Sequence, residues 1–303
     1  MTTTTTAGGS PLKAISLMLA GAFLFVLNSA AGKWLITSYP VGEFLFIRSA
    51  MGLLVLSPFI WTAGRAAFFN APQPRFQLLR MVLTSVEVAM FFWALSYLPL
   101  ADTQTFYLAA PIYVTALAAL LLGESVDWRG WVAVLVGFGG VVITLKPSSA
   151  SFTLPALIAL SGSIIFALVM ITTRKLRGSC RTMLIAAQVF GVMVGAAFVP
   201  SHWAATAPSA WIVPSVCDML IFAGLGLAVV LTQYCIVRAL DLAEASTVTP
   251  FQNTTIVWSV LLDALVFHQL PGAATILGAA LIVGAVLYLA WRQRVTTPRP
   301  APP

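Results

Sequence analysis

Ten runs of about 20 mostly apolar residues, joined by short links holding Gly, Pro or charge, make up most of this chain of 303 residues. A run of that length suits one helical crossing of a bilayer's hydrocarbon core. The approximate limits are 14–36, 42–62, 78–98, 103–122, 129–146, 153–173, 182–200, 217–238, 246–267 and 272–291. Only 8 % of the residues are charged and 60 % are apolar. Soluble domains carry about 25 % charged residues, so a water-facing surface cannot be built from this supply. The sequence therefore predicts an all-α integral membrane protein.

The net charge is +7. Its distribution follows membrane topology rather than nucleic-acid binding. With the N-terminus placed inside, the inner segments hold Lys13, Arg65, Arg75, Arg80, Arg129, Arg174, Lys175, Arg177, Arg181, Arg238, Arg292, Arg294 and Arg299. The outer segments hold Lys33 and Lys146. This bias predicts a multi-pass inner-membrane protein with both termini cytoplasmic. It also supports the count of ten, because one helix more or fewer would scramble it.

The two halves repeat each other. Leu98-Pro99-Leu100-Ala101-Asp102 leads into a helix holding Pro111, and Leu240-Asp241-Leu242-Ala243-Glu244 leads into a helix holding Pro250. A turn and a Gly-containing last helix follow in each half. Five helices per repeat is an odd number, so the halves must be inverted. Inverted repeats place a binding site between them near the bilayer midplane. The chain divides into a cytoplasmic tail over 1–13, a first five-helix repeat over 14–147 and a second over 148–291. A disordered basic, Pro-rich cytoplasmic tail over 292–303 completes it.

Charges inside the runs need a reason, since each costs at least about 2.5–3.5 kcal/mol at the bilayer centre. Glu87 lies near the middle of the third run and reads as a cargo contact, a protonatable coupling group, or a structural carboxylate bonded to a neighbouring helix. Arg48 lies about two turns into the second run, with Glu43 five residues earlier. It reads as a counter-charge to cargo, a partner of Glu87, or a structural pair with Glu43. Asp263, about one turn from the end of the ninth run, reads as an interface-facing or pairing charge, with cargo contact as the alternative. Lys33 reads as a snorkelling side chain.

Uncharged polar groups extend the candidate set. Asn28 and Ser29 lie past the middle of the first run, and Gln233 and Tyr234 lie in the eighth. Tyr107 and Tyr113 flank Pro111, and Gln252 and Asn253 follow Pro250. Each proline frees a helix carbonyl, which membranes tolerate beside a cavity or a polar neighbour. Trp93 and Trp258 are deep enough to stack on a flat cargo or simply to pack. The other tryptophans sit near run ends, as interfacial residues do. The expected cargo contacts are Glu87, Trp93, Tyr107, Asn28, Gln252 and Asn253, with Arg48 and Asp263 as structural or coupling charges.

Other chemistries lack their residues. There is no phosphate-cradling Gly-rich loop ending in Lys-Ser/Thr, so transport driven by ATP is not expected. Cys180, Cys217 and Cys235 have no metal-ligand spacing, and His202 and His268 lie apart. No catalytic set, metal or cofactor is expected, and the chain does not read as an enzyme. A non-transporting membrane scaffold or sensor is the competing class. The expected partners are a small-molecule cargo and the lipid bilayer, with no nucleic acid, in a monomer or homodimer.

Ala94-Leu95-Ser96-Tyr97-Leu98-Pro99-Leu100-Ala101, Ala110-Pro111, Leu122-Gly123-Glu124 and Gly137-Phe138-Gly139-Gly140-Val141 together resemble the EamA-type drug/metabolite transporter superfamily. Thr249-Pro250-Phe251-Gln252 and Gly278-Ala279-Ala280-Leu281-Ile282 resemble it in the second half. The resemblance covers about residues 14–291 and implies a secondary transporter working by alternating access. The stretch from Asp102 to Pro111 is similar to transporters of the riboflavin-uptake type, which makes riboflavin the first cargo expectation. S-adenosylmethionine uptake and amino-acid export or exchange are the alternatives. One departure stands out. The family often has Gly-Glu before its last helix, where this chain has His268-Gln269. These turn residues are expected to cap helices rather than touch cargo.

Overall fold

The computed structural model describes residues 11–63, 73–122, 128–145, 154–175, 191, 195, 211–242 and 251–296. Among these residues the regular structure is all helical. The helices are α1 (Pro11–Leu35), α2 (Val41–Ala63), α3 (Pro74–Leu95), α4 (Leu100–Leu108), α5 (Ala110–Leu122), α6 (Trp128–Leu145), α7 (Leu154–Lys175), α8 (Val216–Leu242), α9 (Thr255–Val266) and α10 (Ala273–Thr296). The expected run over 182–200 lies almost wholly outside the described residues, as do the tails over 1–10 and 297–303.

Among the described residues, five stretches are long and apolar enough to cross a membrane: Leu12–Leu35, Val41–Pro58, Pro74–Leu95, Leu154–Thr172 and Val216–Ile236. Trp128–Thr144, Thr255–Val266 and Ala273–Leu289 are shorter apolar helices. Large apolar side chains such as Leu54, Leu135, Leu220 and Leu277 face outward, while Glu43, Arg48, Glu87 and Asp263 are buried. Apolar outside and charged inside is the arrangement a bilayer selects, because lipid solvates the former and rejects the latter. Trp34, Trp61, Trp128 and Trp291 are exposed near helix ends, where an aromatic belt belongs.

Local chemistry sets the helix boundaries. Pro74 occupies the first position of α3, where its missing N–H costs nothing. Ser215 and Asp218 form a capping box on α8. The Asp218 N–H donates to Ser215 Oγ at 3.1 Å, and that hydroxyl donates to Asp218 Oδ2 at 2.8 Å. The fourth expected helix is split, a correction to the single run over 103–122. Pro111 offers no N–H, α4 ends at Leu108, and Ile112 and Tyr113 both donate to the Ala109 carbonyl. In the second half the irregular turn falls at Asn253 and Thr254, after Pro250, which lies outside the described residues.

The helices pack as α1 on α8, α3 on α7, α6 on α10, α2 on α8 and α4 on α9. Glycine permits two of these contacts. A Cβ on Gly278 would meet Thr144 Oγ1 and come within 2.6 Å of the Gly140 carbonyl, so α6 and α10 touch backbone to backbone. A Cβ on Gly226 would lie 2.7 Å from the Gly52 nitrogen, which brings α8 equally close to α2. The same neighbours fix directions. Gly140 and Thr144 face Gly278 while Gly137 faces Ala285, so α6 and α10 run antiparallel.

Candidate functional site

Two charged clusters are built into this frame. The first lies at one end of the molecule, where α1 finishes and α4 begins. Pro99 precedes α4 and has no side chain that can cap it. The cap comes instead from α9. Asp263 Oδ2 accepts the Ala101 N–H at 2.7 Å, and its Oδ1 accepts the Leu100 N–H at 3.3 Å. Two orphan donors of a helix start are thereby satisfied by a residue 162 and 163 positions away. Lys33 Nζ lies 3.7 Å from Asp263 Oδ1 and 4.6 Å from the centre of the Phe267 ring.

This corrects one expectation. Lys33 does not snorkel; its side chain is 12 % exposed and its charge is turned inward to the carboxylate. The two backbone donors fix the carboxylate in place and so give the ammonium a preorganised charged partner. The pairing role expected of Asp263 has its partners here. Beside it, Thr275 Oγ1 donates to Asp102 Oδ1 at 2.6 Å, tying α10 to α4. Tyr39 Oη donates to Asp218 Oδ2 at 2.7 Å at the same end, joining the start of α2 to that of α8.

The second cluster is central. Arg48 on α2 is buried, with Phe44 one helical turn before it on the same face. Its guanidinium carbon lies 5.5 Å from the Phe44 ring centre and 4.8 Å from that of Phe92 on α3. Two aromatic faces thus hold the cation through their quadrupoles. Arg48 Nη1 donates to Asn28 Oδ1 at 3.1 Å, and Asn28 Nδ2 donates to the Leu225 carbonyl at 3.0 Å. Asn28 is therefore fixed from both sides and presents its oxygen to Arg48.

Glu87 on α3 is buried as well. It interacts electrostatically with Arg48 and with the Tyr107 hydroxyl on α4. Neither partner closes on it. No direct salt bridge joins Arg48 to Glu87, and the Tyr107 hydroxyl makes no complete hydrogen bond. Arg48 Nε also lacks an acceptor. Of the structural partners expected for Arg48, Glu43 is not one: Arg48 bonds the amide of Asn28, while Glu43 Oε2 accepts the Ile212 N–H at 3.1 Å.

Aromatic packing holds this cluster in place. Phe91, one turn on from Glu87, meets Tyr107 edge to face at 5.1 Å, and Tyr107 meets Phe166 of α7 at 5.7 Å. The Tyr107 hydroxyl sits against Gly162 of α7, where a Cβ would displace it. Five helices, α1, α2, α3, α4 and α7, thus contribute side chains or the space for them.

The remaining expected contacts fall elsewhere. Trp93 is six residues beyond Glu87, roughly 120° around the helix, and its ring lies 4.9 Å from Tyr97. Ser29 Oγ is spent on its own helix, donating to the Phe25 carbonyl at 2.8 Å. Tyr234 is exposed. Gln252 and Asn253 lie at the turn before α9, and Asn253 Nδ2 is buried without an acceptor. So are Gln104 Nε2 on α4 and Trp258 Nε1 on α9. Asn28, Arg48, Glu87 and Tyr107 are brought together; Gln252, Asn253 and Asp263 are not linked to them by any described bond, and Trp93 packs against Tyr97. The sequence reading missed Phe44 and Phe92. The i to i+4 spacing of Phe44 and Arg48 was the available signal.

His268 and Gln269 form the turn after α9. His268 is in the left-handed region at φ 53°, and the Gln269 N–H donates to the Asp263 carbonyl at 2.9 Å. Glu124 lies outside the described residues. Among the described residues no cluster of His, Cys, Asp and Glu has metal-binding form.

Known proteins bear on this geometry. Residues 12–146 match the EamA-like transporter family. The chain is 25 % identical to an S-adenosylmethionine uptake transporter of Rickettsia bellii, over 93 % of this chain and 96 % of that one. It is 27 % identical to a riboflavin transporter of Vibrio cholerae, over 92 % and 93 %. A pseudopaline exporter of Pseudomonas aeruginosa is also 27 % identical, over 91 % and 95 %. A crystal structure of a protein 18 % identical shares the fold, with a TM-score of 0.62 over 95 % of this chain and all of that one.

Proposed function

Since this multi-pass membrane chain carries an EamA-like transporter domain over residues 12–146, we propose that it is a secondary transporter of a small organic metabolite. It works by alternating access between two inverted five-helix repeats, 14–147 and 148–291. Ten spans then leave both termini on the cytoplasmic side of the inner membrane, as the distribution of Lys and Arg requires. One chain holds a complete pathway.

The packing scheme carries this reading. Exchanging the halves turns α1 into α7, α3 into α8, α4 with α5 into α9, and α6 into α10. The contact of α1 with α8 then becomes that of α7 with α3, and both are present. The contacts of α6 with α10 and of α4 with α9 map onto themselves. Antiparallel α6 and α10 fit a two-fold axis in the membrane plane. The end cluster joins α1 and α4 of one half to α9 and α10 of the other, so it sits where one mouth of the pathway closes.

Among cargoes, the riboflavin expectation draws support from the Vibrio relative and the S-adenosylmethionine alternative from the Rickettsia relative. Flux into and out of proteoliposomes, measured with a panel of labelled metabolites, tests the function. Movement of at least one above protein-free vesicles is expected. No movement of any overturns the transporter reading and favours a scaffold. Reporter fusions at residues 64–72 and 146–153 test the topology, with only the first expected on the cytoplasmic side.

A further inference from the structure

We infer that Arg48 and Glu87 are the two poles of a binding site for a zwitterionic head group, such as the α-ammonium and carboxylate of an amino acid or its derivative. This rests on the transporter reading and sharpens its cargo.

Two buried opposite charges near one another ordinarily collapse into a salt bridge, because each pays for its lost water with the other. Here they are kept apart. Asn28, itself anchored to the Leu225 carbonyl, holds one edge of the guanidinium. Phe44 and Phe92 hold its face. The bond to Asn28 uses Nη1 and leaves Nε without an acceptor. On the other side, Phe91 and Tyr107 fix the surroundings of Glu87. The arrangement presents a donor edge and an acceptor, both buried and without a salt bridge between them.

A carboxylate placed at the free edge of Arg48 completes its hydrogen bonds. An ammonium at Glu87 does the same for the carboxylate, with the Tyr107 hydroxyl as a further partner. A cargo carrying both charges neutralises the site without importing net charge into the bilayer. A neutral heteroaromatic cargo leaves both charges uncompensated. A cargo with only one charge leaves the opposite pole unpaired. The site therefore selects for the pair.

Binding to the purified protein in detergent, followed by calorimetry, tests this separately from transport. The probes are methionine, S-adenosylmethionine, the decarboxylated and deaminated forms of each, and riboflavin. The two α-amino compounds are expected to bind. Arg48→Gln and Glu87→Gln are each expected to weaken them about 10- to 100-fold, the effect of losing one desolvated charge-assisted contact. The decarboxylated compounds are expected to lose sensitivity to Arg48→Gln while keeping it to Glu87→Gln. The deaminated compounds are expected to show the reverse. Arg48→Lys and Glu87→Asp keep the charges and are expected to restore part of the affinity, which separates charge recognition from misfolding. Binding of riboflavin alone, no binding of either α-amino compound, or equal weakening of every probe by both variants overturns the inference. Flux of riboflavin with no α-amino binding would leave the transporter reading standing. Binding of the α-amino compounds without flux would remove transport and keep the site.

Discussion

Asp263 and Glu87 are both buried carboxylates on apolar helices, yet their surroundings differ. Asp263 holds two backbone N–H groups and faces an ammonium at 3.7 Å. Glu87 faces a phenol and a guanidinium and forms no salt bridge with the guanidinium. The first cluster satisfies its own charges and so holds helices together. The second withholds that satisfaction, as a site built for a ligand does. Burial alone does not separate the two; what each carboxylate is allowed to touch does.

The contrast breaks most sharply at Asp263. Asp263→Ala strips the cap from α4 and strands Lys33, and is expected to destabilise the protein by about 3–5 kcal/mol, as breaking a buried pair does. Thermal unfolding in detergent measures it. A double variant with Lys33→Met is expected to recover part of the loss, since no charge is then stranded.

A packing control comes next. Gly278→Val drives a side chain into Thr144 and the Gly140 carbonyl. Its expected cost is about 1–3 kcal/mol, typical of overpacking, read by the same unfolding assay. Because α6 and α10 lie away from Arg48 and Glu87, head-group binding at saturating ligand is expected to survive.

The central cluster is expected to respond more weakly. Glu87→Gln and Arg48→Gln each remove one of two opposite charges that do not close into a salt bridge, so the ligand-free protein is expected to lose less than Asp263→Ala costs, about 0–2 kcal/mol. Transport is expected to fall at the same time. A large loss of stability in both variants would place this cluster with Asp263 as structural.

The smallest effect is at the turn after α9. His268 occupies φ 53°, a conformation that glycine adopts without strain. His268→Gly is expected to raise stability by about 1 kcal/mol, the cost of placing a side chain there, with transport unchanged. Unfolding and flux measured on one preparation check both halves of the statement.

Much of the frame was legible in the sequence, because apolar length and the placement of Lys and Arg are properties of single segments. Glu87 and Arg48 stood out for the same reason, as each is costly wherever it sits in hydrocarbon. What each one touches was not legible. Asn28 meets Arg48 across two helices, and nothing in either segment forces it. Lys33 was misjudged because its distance from a helix end is local information, whereas its partner is 230 positions along the chain. The break at Ala109 was half visible: Pro111 announced a defect, but its exact position depends on neighbouring backbone. Trp93 looked available by depth, and its place around the helix axis turned it toward Tyr97.

The cap on α4 also orders events during synthesis. Leu100 and Ala101 enter the bilayer edge long before Asp263 leaves the ribosome, and until then two amide groups at a helix start have no acceptor from the protein. The first half alone is thus an unfinished object, obliged to keep that end hydrated or chaperoned until the ninth helix arrives. A chain truncated before Asp263 is expected to be degraded, while the same two halves supplied as separate polypeptides are expected to rescue each other.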